Sequence, residues 1–458
     1  GLLALGANTT AVSNTAVGYA ALDATTTGGL NTAVGQDALG ANTTASNNTA
    51  LGYQALGANT TGTGNVSVGY QALDANTTAD NNTAVGKAAL GTNTTGASNT
   101  GIGREALALA TTGSDNTAVG KLALYANTTA SNNTAVGSDA LVANTTGPHN
   151  SAVGKDALLS NTTGDSNTAV GSTALDANTT GAANTAMGYA ALGATTTGIR
   201  NTGLGAYALA TNTTGQKNAA VGFYALQANT TGEENVAVGQ NALDANTTAG
   251  ANTAVGFNSA GANTTGTRLV AVGNNTLDAN TTGNDNTAVG YAASSNTAVG
   301  RRALGANTTG SYNSATGYTA LDSNTTGNYN SAYGAYALQA NTTGTNNTVM
   351  GNAAGYTNTA SSYNTFIGNT AGYNANGSGA TQLVYIGHNS GHLTTTASIN
   401  TGVGNQTLYS NTTGSQNTAL GYNAMQANTT AGNNTAVGSQ ALDANTTGSG
   451  SVAVGAMA

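Results

Sequence analysis

Few residues in this chain can do acid–base or metal chemistry. Across 458 residues there are three histidines, seventeen Asp or Glu, nine Lys or Arg and no cysteine. His388 and His392 stand four apart, a spacing that on a helix would turn two imidazoles toward one zinc ion. Here each sits beside a glycine, Gly387 or Gly391, in sequence that reads as strand and turn, and no third ligand is near; His149 follows the only proline, Pro148. We read all three as exposed side chains and expect no metal and no other cofactor. Seven aspartates follow a recurrent leucine (Asp23, Asp74, Asp176, Asp244, Asp278, Asp322 and Asp443), never in consecutive copies. A calcium-binding roll needs a carboxylate in every coil, whereas this spacing suits stacked neighbours that would otherwise repel. A repeat of small residues offers few clefts with convergent polar groups, so no catalytic residue is assigned and no enzyme is expected.

The cations point to contacts rather than chemistry. Lys87, Arg104 and Lys121 hold one repeat position in three successive copies. They repel unless splayed into solvent, and they are the candidates for an interchain contact, with acids such as Asp139 or Asp156 of a neighbouring chain as partners. Arg301 and Arg302 form the one local pair in a chain of net charge -8. Without a basic stripe, nucleic acid is not an expected partner. The many Asn-Thr-Thr triplets match a glycosylation acceptor, but an Asn-led turn needs the same residues, and we read them as structural.

The elements that carry these residues repeat. The pentad Asn-Thr-Ala-Val-Gly starts at Asn14, Asn31, Asn48, Asn65, Asn82 and Asn99 and continues in steps of 17 to Asn286. Degenerate copies such as Leu269 to Gly273 keep the register, as a structural period does and a disordered low-complexity tract does not. One copy is cut to ten residues, Asn286 to Asn296, and one is lengthened to 19, Asn364 to Leu383. Regular repeats are therefore expected over 1–295, ending in the short copy, resuming over 296–363, with an irregular longer coil over 364–399 and regular repeats over 400–458. The chain starts and stops inside copies that carry no cap, as expected of a segment of a longer array.

Val and Thr beside Gly and Asn turn signals, with no long apolar run, favour short strands and tight corners over helix. The fold class expected is all-β, a parallel solenoid of 17-residue coils. Strand one is placed at the Thr-Ala-Val-Gly step, Thr15 to Gly18, and strand two at Ala21 to Ala24. About 27 coils at about 4.8 Å each would rise roughly 130 Å. Like residues then stack: Leu22, Leu39, Leu56 and Leu73 line one apolar seam, and Val17 and its equivalents another. Asn14, Asn31 and Asn48 form an amide ladder at corners, and Gly18 serves the strand exit, where φ turns positive. Ala16 and Val17 are both apolar and point to opposite faces, so a side-by-side oligomer is expected to cover the outer one. The heavier load of Met350, Phe366, Ile367, Tyr385 and Ile386 marks a local packing change near the 19-residue coil, or a docking site.

The Asn-Thr-Ala-Val-Gly-Tyr and Ala-Leu-x-Ala-Asn-Thr-Thr-Gly phrases resemble repeats of bacterial tail-fibre-like surface proteins that often end in an intramolecular-chaperone domain. The Val270–Gly273 and Val452–Gly455 steps are similar to head repeats of trimeric autotransporter adhesins. That resemblance implies a left-handed β-roll, three chains side by side, and an extracellular or cell-surface fibre for reach and attachment to host or prey surfaces or glycans. The coil here is longer than the usual head repeat, and neck, stalk, membrane barrel and chaperone segments are not recognised; any membrane anchor is expected outside this segment. The alternative is an ice- or glycan-binding solenoid, motivated by Thr43, Thr44 and their equivalents and by Tyr19, Tyr53, Tyr70 and Tyr189, although adjacent threonines point apart on a strand.

Overall fold

The computed structural model describes residues 1–284, 286–290, 296–300, 302–307, 309–377 and 379–458. The chain is an all-β parallel solenoid of stacked 17-residue coils: among the described residues there are 27 strands of three residues, Thr15–Val17 to Val452–Val454, and no helix. It divides into two compact units, Gly1–Ala237 and Val238–Ala458, with the Val236–Val238 strand at the division.

In the first unit thirteen strands, Thr15–Val17 to Ala219–Val221, each pair in parallel with the next. Thr15 lies against Thr32, Ala16 against Ala33 and Val17 against Val34, because a constant step of 17 leaves no other register. The middle strand residue faces inward, as Ala33 and Ala50 do with no exposure, and the third faces out. Val17 is 56% exposed, so its column is an outer stripe and not a second interior seam. The interior holds the Leu column, Leu22, Leu39, Leu56 and Leu73 all fully buried, packed against two columns of Ala.

The Ala21–Ala24 step, expected as a second strand, is instead a run of β-turns. In the coil of Leu39, the N–H groups of Ala38, Gly40 and Asn42 donate within the coil to the carbonyls of Gly35, Asp37 and Leu39, at 3.4, 3.2 and 3.2 Å. The N–H groups between them reach neighbouring coils: Asp37 to Tyr19, Leu39 to Ala55 and Ala41 to Gly57, at 3.0 to 3.1 Å. The alternation arises because alternate residues are left-handed, Asp37 at φ 56° and Leu39 at φ 53°. That conformation costs an L-residue roughly 1–2 kcal/mol and most disfavours β-branched side chains. The interior column uses Leu, Gly, Ala and Met, with no Val or Ile at any described copy, whereas the other left-handed slots take Thr173, Thr319, Thr370 and Ile399 as well.

In the second unit thirteen strands, Thr253–Val255 to Val452–Val454, stack in the same way. Both irregular copies lie here and both keep their strand. The Thr287–Val289 strand of the ten-residue copy pairs with Thr297–Val299 through Ala288–Ala298 and Val289–Val299. Residues 291–295, which end this copy and carry the expected domain boundary, lie outside the described residues, as does Arg301. A cavity of about 850 Å³ opens beside the copy, lined by residues including Asn280, Thr282, Asn296, Thr309 and Tyr312. In the 19-residue coil, Asn364 Nδ2 donates to the Ala380 carbonyl across 16 residues, where ordinary coils close across 14. The insertion is absorbed in that corner, where Gly377 adopts φ 91°.

Of the apolar load around this coil, Met350, Ile367 and Ile386 stand on the outer stripe, with Met350 half-exposed, and Phe366 and Tyr385 make a size exchange inside the core. Val349, Phe366 and Tyr385 replace Ala at the inward strand position, while Gly355, Gly372 and Gly391 replace Leu. A Cβ on Gly372 would lie 2.6 Å from the Phe366 ring, and one on Gly391 2.2 Å from Tyr385. The Phe366 and Tyr385 rings stack at 5.8 Å, both fully buried. These two rings face the interior, so they offer nothing to a docking partner.

Candidate functional site

The asparagine columns close the coils. Asn48 Nδ2 donates to the Gly62 carbonyl at the end of its own coil, at 2.9 Å, and Asn48 Oδ1 accepts from the Asn65 N–H of the next, at 2.9 Å. Asn14 and Asn31 make the same pair of contacts. The second column, Asn42, Asn59 and Asn76, runs amide to amide, Asn76 Nδ2 to Asn59 Oδ1 at 2.9 Å, and also donates to the coil-end carbonyl. In the first unit both columns are buried from Asn31 and Asn42 onward, so their amides face the fold and not a partner. The first threonine of each triplet is spent too: Thr43 Oγ1 donates to the Thr60 carbonyl at 3.2 Å. Gly18 has φ 140°, and a Cβ there would lie 2.4 Å from the Gly35 carbonyl oxygen.

What remains for partners is the exterior, dominated by the third strand residue. Val17, Leu51, Ile102, Val136, Val153 and Met187 stand half in solvent on one face of the first unit, one per coil and in register. Lys87, Arg104 and Lys121 are exposed one coil apart, two residues beyond that stripe, and none forms an ion pair among the described residues. The acids proposed for them are engaged within the chain: Asp156 pairs with Lys155, and Asp139 accepts from Ser138 Oγ at 2.6 Å.

The aspartate column shows a pattern that the sequence reading passed over. Each of several carboxylates lies over a glycine of the preceding coil: a Cβ on Gly6, Gly57 or Gly305 would approach Oδ1 of Asp23, Asp74 or Asp322 to 2.3, 2.9 or 2.5 Å. Glycine provides the room as well as the charge spacing, and the Gly-then-Asp order was readable at Gly6, Asp23, Gly57 and Asp74. Burial holds the Asp74, Asp176 and Asp244 carboxyls above the ordinary aspartate pKa. Asp322 is also raised by burial, against the opposing pull of Arg302, whose Nη2 lies 3.0 Å from Oδ2.

His149 and His388 are exposed. His392 is not: it is half-buried between Tyr373 and Tyr409, at ring distances of 5.0 and 5.3 Å, in a ladder that Tyr356 continues at 5.1 Å. Among the described residues no three His, Asp or Glu side chains are grouped to hold a metal ion. Tyr53 and Tyr70 stack at 5.3 Å on the outside. No protein-family model and no curated protein matches this chain.

Proposed function

We propose that the chain is the shaft of an extracellular or cell-surface filament that associates side by side with copies of itself and serves reach and attachment. The observation that supports this most is the outer stripe, an apolar side chain repeated at every described coil of the first unit in strict register. Hydrophobic side chains in an unbroken row, some half-exposed as at Val136 and others less exposed as at Val119, are a surface awaiting cover, and a second copy has the one period that matches every rung. The resemblance to adhesin head repeats favours three chains; Lys87, Arg104 and Lys121, which form no ion pair among the described residues, are the candidates for contacts across such an interface.

The ice- or glycan-binding alternative is weaker, because Thr43 and its equivalents donate their hydroxyl hydrogens to the next coil and only the second threonine of each pair is free. Analytical ultracentrifugation of the intact chain tests association: the wild type is expected to sediment as an oligomer, and Val136→Lys with Val153→Lys to shift it toward monomer with unchanged circular dichroism. A wild-type monomer at high micromolar concentration would remove side-by-side assembly. Beads coated with the chain should hold to cells under flow better than uncoated beads, and equal retention would remove attachment.

A further inference from the structure

Among the described residues the corner residue just before the first Asn of a coil is left-handed, and where it is not glycine its side chain turns away from the core. Tyr312 and Tyr329 hold this slot in successive coils, at φ 59° and 57°. Pairing of Ser314 with Ser331 sets their coils in register. The two rings lie 5.0 Å apart and within 4° of parallel, and they are 75% and 56% exposed. Two phenols in contact with each other and open to solvent are poised for radical coupling, and the exposed side chains are free to rotate into the twisted geometry of a biaryl bond.

We propose that Tyr312 and Tyr329 are an oxidative cross-linking site, joined by a peroxidase and hydrogen peroxide into an intrachain dityrosine that staples two coils. Each phenol loses one electron and its O–H proton. The two phenoxyl radicals then form one carbon–carbon bond between ring carbons ortho to oxygen. The hydrogens on those carbons leave as protons while the oxygens are reprotonated, which restores two aromatic phenols. The chain loses two electrons and two protons in all, and the peroxide takes them up to become two waters. Tyr312 also lines the cavity beside the ten-residue copy, so the staple ties together the two full coils that follow it.

Exposure alone does not select these residues. Tyr19 and Tyr422 are 49% and 53% exposed, but no ring stacks on either among the described residues. Tyr363 holds the same corner slot as Tyr329, yet Asn346 occupies it in the coil between. Tyr53 and Tyr70 stack at 16° and are less exposed, at 37% and 49%, so they form the second site.

The full chain, dilute and treated with a haem peroxidase and hydrogen peroxide, should gain dityrosine fluorescence. Digestion and mass spectrometry should then find the Tyr312 and Tyr329 peptides linked and lighter by two hydrogens, several-fold above any link between unstacked tyrosines. Tyr329→Phe, which keeps the ring and its stacking, should abolish this product and leave the Tyr53–Tyr70 product in place as a control for folding and oxidant. Dityrosine dominated by links through Tyr19 or Tyr422, a Tyr312 product that survives Tyr329→Phe, or no product at Tyr312 with the control pair linked, would each overturn the proposal.

Discussion

At the scale of single residues, the fold turns ordinary side chains into parts of a column, and their titration follows from what lies one coil away. Asp176 and Asp244 bend over the chain with partial burial, which raises their pKa values; backbone hydrogen bonds offset this only in part. A carboxyl whose pKa is higher folded than unfolded binds protons more readily in the native state. Its ionisation therefore costs stability at neutral pH, and that cost is relieved as pH falls through the raised value toward the ordinary one. Glu234, held low by exposed Lys217, works in the opposite sense but at the surface, where such pairs contribute little. The melting temperature is thus expected to rise, not fall, on acidification from neutral into the aspartate range, and Asp176→Asn with Asp244→Asn should raise it at neutral pH and flatten the rise. A melting series of the two proteins against pH checks this, and a wild type that loses stability throughout that window would contradict it. The asparagines were legible as a ladder from Asn14, Asn31 and Asn48 because they recur. Their double task was not, since the coil-end carbonyl they clamp belongs to whichever residue stands there, Gly28, Ala45 or Gly62.

At the scale of the coil, the strand was readable and the arm, the run of β-turns at the Ala21–Ala24 step, was not. Thr-Ala-Val alternates an inward small residue with outward larger ones, which any parallel stack would honour. Sequence could not tell which face Val17 takes, because Ala and Val are both apolar; in coils that carry Leu the inward strand position takes nothing larger than Ala or Ser, as at Ala33 and Ser67. The arm escaped because hydrophobic periodicity says nothing of φ. Its one clue was the absence of β-branched residues from the Leu column, although the other left-handed slots accept Thr173, Thr319, Thr370 and Ile399. The region from Val349 to Tyr385 shows that volume, not residue identity, is conserved within a coil. Phe366→Ala alone should leave a cavity over Gly372 and cost about 3–5 kcal/mol. Gly372 has φ 57°, a value at which other coils carry Leu, so adding Gly372→Leu should restore the common pattern and recover most of the loss. Chemical denaturation of the single and double variants measures it; a double variant no more stable than Phe366→Ala would show that the coil depends on the aromatic stack with Tyr385 and not on filled volume.

At the scale of the molecule, stability is built from like neighbours, so whole coils should be exchangeable while fractions of a coil should not. Within the first unit the asparagine contacts of each column repeat in the same coil and to the residue 17 away. Removing 116–132 would leave the Asn133 N–H donating to Asn99 Oδ1 as the Asn116 N–H now does, and Asn133 Oδ1 still accepting from the Asn150 N–H, all in the same register. Removing 116–124 instead would bring Tyr125 beneath Asn99, set Leu107 against no partner Leu and put the next strand out of step by eight residues. The two irregular copies give the rule its limits: the ten-residue copy keeps its Asn-led strand and pairing, and the 19-residue coil keeps both while lengthening one corner. The 17-residue deletion is accordingly expected to keep its far-ultraviolet circular dichroism per residue and to unfold within a few degrees of the intact chain. The nine-residue deletion should lose protection from hydrogen exchange in the coils on both sides of the junction. Equal protection in the two deletions would mean that coils hold together without register, and the matched columns would then explain neither the solenoid nor the stripe on its surface.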